Sequence, residues 1–264
     1  MRVATWNVNS LKVRIGHVAD WLASTKTDLL CLQELKTEET AFAEEALGSI
    51  GYGLLAFGQK TYNGVAIAFR RESARPEGPV ERNIPSFDDA QARFIRSRFD
   101  TAAGVIDLAS AYFPNGQEVG SEKFAYKLSW IRALRDHLSR TVGATPFCLA
   151  GDFNIAPEDA DCWNPALWEG SILVSPEERA AFAGLLELGL TDAFRAFEQP
   201  PKSFSWWDYR MLGFQKNHGM RIDHLLVNAP LRERLGFASI DRAPRKLPKP
   251  SDHAPCVIGI DEPA

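Results

Sequence analysis

Eight short apolar runs rich in Val, Ile, Leu and Phe alternate with amphipathic stretches along the chain, a pattern that confines it to a layered α/β protein. The runs predict strands over Arg2–Asn7, Asp28–Gln33, Gly64–Arg70, Phe94–Phe99, Val105–Tyr112, Phe147–Gly151, Arg221–Asn228 and Pro255–Ile260. That is too many for one small sheet. The link between Phe94–Phe99 and Val105–Tyr112 is too short for a parallel crossover, so antiparallel hairpins are expected. Helices are predicted over Val13–Ser24, Glu38–Leu47, Glu122–Thr141 and Pro176–Leu188. In the third, Phe124, Leu128, Ile131, Leu134 and Leu138 make the apolar stripe, with Lys123, Lys127 and Arg135 on other faces. The fourth opens on Ser175-Pro176-Glu177-Glu178, a cap residue followed by Pro at the first helical position. The Pro-rich stretches Arg75–Pro79 and Arg245–Pro250 read as loops. A strand ending in Asn7-Val8-Asn9 is echoed by one ending in Asp152-Phe153-Asn154, as two packed sheets offering loops to one edge would require.

Polar clusters near both ends of the 264 residues converge best in one domain spanning residues 1–264. No apolar run approaches the roughly 18 residues of a membrane span, and the N-terminus enters a strand pattern at once, so neither membrane nor signal peptide is expected. Cys31, Cys148, Cys162 and Cys256 show no CxxC spacing and read as buried free thiols of a reducing, cytoplasmic protein. The net charge of −4 is unevenly spread: residues 201–250 hold ten Lys/Arg against four acids. A basic face on an acidic body suits a polyanion; the plainer alternative is a solvated face of mixed loops.

The chemistry-bearing residues sit mostly where strand runs end, where open α/β sheets place their ligands. Glu34 follows Leu29-Leu30-Cys31-Leu32 and, beside an amide such as Asn7, offers hard oxygen ligands to Mg²⁺ or Mn²⁺; on spacing alone the plainer reading is a surface glutamate before a helix. In Gly151-Asp152-Phe153-Asn154 the glycine permits close approach and the two polar residues share a side, so Asp152 can orient or deprotonate a water and Asn154 can donate to a phosphoryl oxygen. The alternative is an Asx turn. Asp223 and His253 can pair, the carboxylate holding the imidazole protonated near a phosphate, or can be purely structural. Tyr112 closes its strand ahead of Phe113-Pro114-Asn115-Gly116 and is a phosphate donor or a rim tyrosine. Phe204-Ser205-Trp206-Trp207-Asp208-Tyr209-Arg210 interleaves aromatics with a cation, as stacking on nucleic acid requires, although at least one tryptophan reads as core.

In this order the motifs TWNVNS, LQELK, YFPNG, GDFNIAP, FSWWDYR, GMRID and KPSDHAP resemble the exonuclease III branch of the endonuclease/exonuclease/phosphatase superfamily, from Val3 to about Pro255. The resemblance implies a four-layer α/β sandwich, two packed mixed or antiparallel sheets flanked by helices, around one divalent-metal site. It implies Asn7 and Glu34 as metal-site residues with Asp252 a further ligand, and Asp152 as the residue that activates water. Asn154 and Tyr112 match transition-state contacts, and Asp223 and His253 the family's Asp–His pair. Asn115 and Asn164 resemble phosphate contacts; Trp206, Met220 and Ile222 resemble the lining of a pocket for an extrahelical abasic sugar. Leu35 stands where many members have Thr, Met220 where some have Trp, and Gln117-Glu118 put an acid beside the YFPNG turn. The function so implied is a Mg²⁺-dependent (or Mn²⁺-dependent) DNA phosphodiesterase of base-excision repair. It would be a monomer without an obligate protein partner, acting on duplex DNA with abasic sites or blocked 3′ ends. A related phosphoesterase of small phosphorylated metabolites or lipid headgroups is the alternative, and a non-catalytic DNA-binding module of the same fold is a third.

Overall fold

The computed structural model describes residues 1–261; the last three residues of the expected 1–264 domain lie outside the described residues. Twelve strands form two six-stranded sheets. The first contains β1 (Arg2–Asn7), β2 (Leu29–Gln33), β3 (Tyr52–Phe57) and β4 (Val65–Arg70). The second contains β5 (Ala74–Arg82), β6 (Phe94–Thr101), β7 (Ile106–Tyr112), β8 (Phe147–Asp152), β9 (Thr191–Asp192) and β10 (Asp223–Val227). The chain then returns to the first sheet with β11 (Leu235–Ile240) and β12 (Cys256–Ile260). The orders are β11-β12-β1-β2-β4-β3 and β5-β6-β7-β8-β10-β9. Each sheet has one parallel pair, β1 with β2 and β7 with β8, and the other neighbours are antiparallel.

The layers follow from the period of two along each strand. Val3, Cys31, Leu108, Cys148 and Leu225 share the core between the sheets, while their neighbours Ala4, Leu30 and Leu149 face outward onto helices. Helices α1 (Leu11–Thr25) and α2 (Ala41–Gly48) cover the first sheet through Val18, Leu22 and Leu47. On the second sheet lie α3 (Glu122–Thr141) and, after the single turn α4 (Pro165–Trp168), α5 (Pro176–Leu186). The result is four layers around a dry centre, and truncating a core residue such as Leu134 to Ala is worth about 2–5 kcal/mol.

The predicted strands are all present, and four further strands join them: β3, β5, β9 and β11. All four lie at sheet edges, where half-exposure dilutes the apolar signal. The stretch Arg75–Pro79, expected as a loop, belongs to β5; its prolines are tolerated because β5 is an edge strand whose register shifts between Glu77 and Glu81. Lys127, placed away from the apolar stripe of α3, is fully buried, and Leu128 is only half-buried. The four cysteines are buried and free. Among the described residues no helix is long and apolar enough to cross a membrane.

Candidate active site

The same period of two that fills the core builds the site. On the inner faces Val3-Thr5-Asn7, Leu29-Cys31-Gln33, Leu108-Ser110-Tyr112 and Cys148-Ala150-Asp152 each run from apolar to polar toward one edge. Register holds these ends level: Asn7 lies opposite Gln33, and Asp152 opposite both Tyr112 and Asp223. β10 and β12 run antiparallel to β8 and β1, so Asp223 and His253 reach the same edge from strand starts rather than strand ends. Thr5, Gln33 and Ser110 make a polar layer just below, Thr5 Oγ1 donating to Gln33 Oε1 at 3.1 Å and Gln33 Nε2 to Ser110 Oγ at 3.1 Å.

Gly151 is required because a Cβ there would lie 1.9 Å from the Ala111 carbonyl oxygen. One residue on, Asp152 does two things. Its Oδ1 accepts the Asn154 N–H at 2.9 Å, making an Asx turn, while Oδ2 accepts from Asn7 Nδ2 at 2.9 Å and lies 3.7 Å from His253 Nε2. The echo between the halves is physical. Asn7 Oδ1 accepts the Asn9 N–H at 2.9 Å, the same turn at the end of β1, and Asn9 and Asn154 both have left-handed backbone, at φ 44° and 51°.

Asn7 Oδ1 accepts the Asn9 N–H, and its Nδ2 points at both carboxylates, donating to Glu34 Oε1 at 2.8 Å as well as to Asp152. Glu34 breaks the strand period by adopting φ 54°, which turns its carboxylate into the gap between the sheets. The strained backbone is held by Ser10 N–H on its carbonyl at 2.8 Å and by Leu35 N–H on Gly64 O at 3.2 Å. Lys36 Nζ lies 2.8 Å from Glu34 Oε2, and the Tyr112 hydroxyl donates to Oε1 at 3.1 Å.

The electrostatics divide the roles. Burial pushes the Asp152 carboxyl up to about 7 against the attraction of His253. Burial lowers the His253 imidazole, but Asp223 and then Asp152 outweigh it and bring it up to about 10, so it carries a proton at neutral pH. Asp223 accepts from His253 Nδ1 at 2.9 Å through the same Oδ2 that accepts from Ser205 Oγ at 2.6 Å. Burial and the neighbouring Glu34 hold the Tyr112 phenol well above its usual range, so it remains a donor. Burial opposes but does not prevent a lowered Asp252 carboxyl, which His253, Asn9 and Trp206 stabilise.

Among the described residues, Glu34, Asp152 and His253 offer ligand atoms all within 4.8 Å of one another. The hard oxygens of the two carboxylates fit Mg²⁺ or Mn²⁺, whereas a protonated imidazole has no lone pair for a metal. Asp252 accepts from Asn9 Nδ2 at 2.9 Å and Trp206 Nε1 at 3.0 Å.

The sequence matches the Endonuclease/Exonuclease/phosphatase family over residues 4–253. The chain belongs to the endonuclease/exonuclease/phosphatase family. Relatives of this family include exodeoxyribonuclease III of Haemophilus influenzae, 34% identical over 97% of this chain and 98% of that protein. The 3′ phosphatase NExo from Neisseria, solved with a product DNA hairpin, is similar with a TM-score of 0.92 at 40% identity, covering 99% of both chains. An AP endonuclease from Archaeoglobus fulgidus gives 0.91 at 36% identity, again over 99% of both. The endonuclease/exonuclease/phosphatase sandwich and the exonuclease III resemblance both stand on these matches.

The remaining expected residues lie in the loops and in one apolar cluster. Asn115 is exposed, its Nδ2 donating to Asn154 Oδ1 at 3.2 Å, while Asn154 Nδ2 donates to Phe113 O at 3.0 Å. Asn164 caps α4, its side chain accepting the Leu167 N–H at 3.2 Å. Trp206, Met220 and Ile222 pack with Ala156, Cys162 and Leu173 in one apolar cluster, Met220 fully buried and Trp206 half-buried. Trp207 is core, whereas Tyr209 and Arg210 are exposed. Ser205 and Lys36 were not expected to serve the site. A small hydroxyl inside an aromatic run was the available signal for Ser205.

Two cations counted in the basic segment are interior. Arg245 packs against Phe214, its guanidinium 4.9 Å from the ring centre. Arg221 pairs with Asp161 at 2.7 Å and Asp192 at 2.8 Å beneath the pocket cluster. Burial raises the Asp161 carboxyl but Arg221 more than reverses it, and burial followed by Arg221 lowers the nearby His224 to about 4. Both groups bind protons more tightly when unfolded, so both cost stability as pH falls. The His224 contribution, about 3 kcal/mol, fades between about pH 6.5 and 4, and that of Asp161 below about pH 4. Asp152, raised to about 7, works in the opposite direction over the same range, so the drop is read in Asp152→Asn: its urea midpoint should fall from pH 7 to 3, and a flat midpoint in that variant would contradict this arrangement.

Proposed function

We propose that this protein is a Mg²⁺-dependent DNA phosphodiesterase of base-excision repair, incising 5′ to abasic sites, clearing blocked 3′ ends and degrading duplex DNA from the 3′ terminus. The carrying observation is the meeting of Glu34, Asp152 and a His253 fixed by Asp223. The names of the relatives, a 3′ phosphatase bound to a product DNA hairpin, an exodeoxyribonuclease and an AP endonuclease, support the substrate class. We read the enzyme as a cytoplasmic monomer that acts without an obligate protein partner.

A bound Mg²⁺ on Glu34, with Asp152 alongside, would neutralise phosphate charge. Asp152 Oδ2 orients the attacking water and takes its proton, a task suited to a carboxyl raised to about 7. The His253 imidazolium donates Nε2–H to a non-bridging oxygen and stabilises the charge that gathers in the transition state. Tyr112, kept neutral, donates to a second oxygen, and the Asn115–Asn154 carboxamides contact the phosphate from the other side. The Trp206–Met220–Ile222 cluster receives an extruded abasic sugar, for which no base pair need be broken.

Release of phosphate from a 3′-phosphorylated nicked duplex, measured beside a panel of sugar and lipid-headgroup phosphates, tests the substrate class. We expect kcat/KM on DNA to exceed that on any small ester by at least about 10³-fold. Preference for a small ester would sink the reading.

A further inference from the structure

Lys127 of α3 and Glu178 of α5 face each other with both side chains fully buried. Enclosing two ions costs more than their attraction supplies unless further hydrogen bonds satisfy them. Glu178 is satisfied at the start of its own helix, where Oε2 accepts from Ser175 N at 3.1 Å and Ser175 Oγ at 2.7 Å, while Oε1 faces Lys127. The ammonium has three donors. One meets Glu178, one the Asn154 carbonyl at 2.7 Å and one the Asn115 carbonyl at 3.2 Å. Among the described residues neither carbonyl has another donor.

These two asparagines come from different loops, after β7 and after β8, and their carboxamides are bonded to each other. Asn154 holds a left-handed backbone, so the direction of its carbonyl is not enforced by regular structure. The following turn is packed on the lysine stem: a Cβ on Gly116 would lie 3.1 Å from Lys127 Cδ. One cation thus ties the main chains of both loops from below while their side chains are joined above.

We propose that Lys127, held by Glu178, is a positioning residue for phosphoryl transfer: it fixes the Asn115 and Asn154 carbonyls so that the paired carboxamides stay aimed at the scissile phosphate. The proposal rests on the reading of Asn154 as a phosphate contact. An apolar filler of the same volume would pack equally well but would leave two buried carbonyls without a donor.

The test is a double-mutant cycle on the full chain with a 3′-phosphorylated duplex as substrate. Lys127→Met with Glu178→Gln removes both charges, and Gln still completes the helix-capping box. We expect this double variant to fold, to lose at least about tenfold in kcat and to change KM less than about twofold. In an Asn154→Ala background the same pair of changes should cost clearly less, because only the Asn115 carboxamide is then left to misplace. A folded double variant with wild-type kcat, or a loss that adds fully to that of Asn154→Ala, would overturn the proposal. Wild-type kcat in Asn154→Ala alone would instead show that the phosphate-contact reading has failed. Should the double variant not fold, Lys127→Arg replaces it in the same cycle, since a planar fork cannot reach all three oxygens from one atom; the expected and contrary outcomes are unchanged.

Discussion

Asp152→Asn is expected to lower metal-dependent cleavage of duplex DNA by about 10³- to 10⁴-fold with KM little changed. The substitution keeps shape and can still accept the Asn154 N–H that closes the Asx turn. It removes the carboxylate that accepts from Asn7 at 2.9 Å and lies 3.7 Å from His253, and with it the acceptor for the proton of the attacking water. The fold should not suffer. Burial holds this carboxyl up at about 7, which means that the folded state tolerates the charge poorly, so the variant should melt at or above the wild-type temperature. Loss of activity accompanied by a clear loss of stability would indicate a structural role. Paired measurements of single-turnover rate and melting temperature decide it.

Glu34→Gln carries the second largest effect. The amide keeps an oxygen for Tyr112 but withdraws the charge that a divalent cation needs, and it leaves Lys36 beside a neutral group. We expect the Mg²⁺ concentration for half-maximal rate to rise at least about 100-fold, and the rate at saturating metal to fall about 10-fold or more. A Mg²⁺ titration of initial rate reads both quantities. An unchanged half-saturation point would move the metal away from Glu34.

Which parts of this site were legible in sequence has a physical explanation. The central strands β1, β2, β7 and β8 are buried on both faces and announce themselves as apolar runs, and the site residues end those runs. The edge strands β5 and β11 alternate with exposed residues and, in β5, carry prolines, so their pattern is weak. The residue types at Glu34, Asp152, Asp223 and His253 pointed to one site, because carboxylates and a histidine at the ends of buried strands have few other uses. The Asp223–His253 pairing was legible as well, but two other contacts were not. The donor role of Asn7 depends on the Asn9 N–H, and the burial of Lys127 depends on Glu178, which lies 51 residues away in another helix. Helical periodicity assigns a lysine to solvent unless such a partner is known.

The central claim is that these residues form one metal-dependent site for damaged DNA. Its most direct test is incision of a 5′-labelled duplex carrying one abasic-site analogue, with Mg²⁺ and with EDTA, beside the undamaged duplex. The account predicts a product ending immediately 5′ to the lesion, dependent on Mg²⁺ and lost in Asp152→Asn. Cleavage that survives EDTA, or an intact lesion strand under conditions where small phosphate esters are hydrolysed, would contradict it.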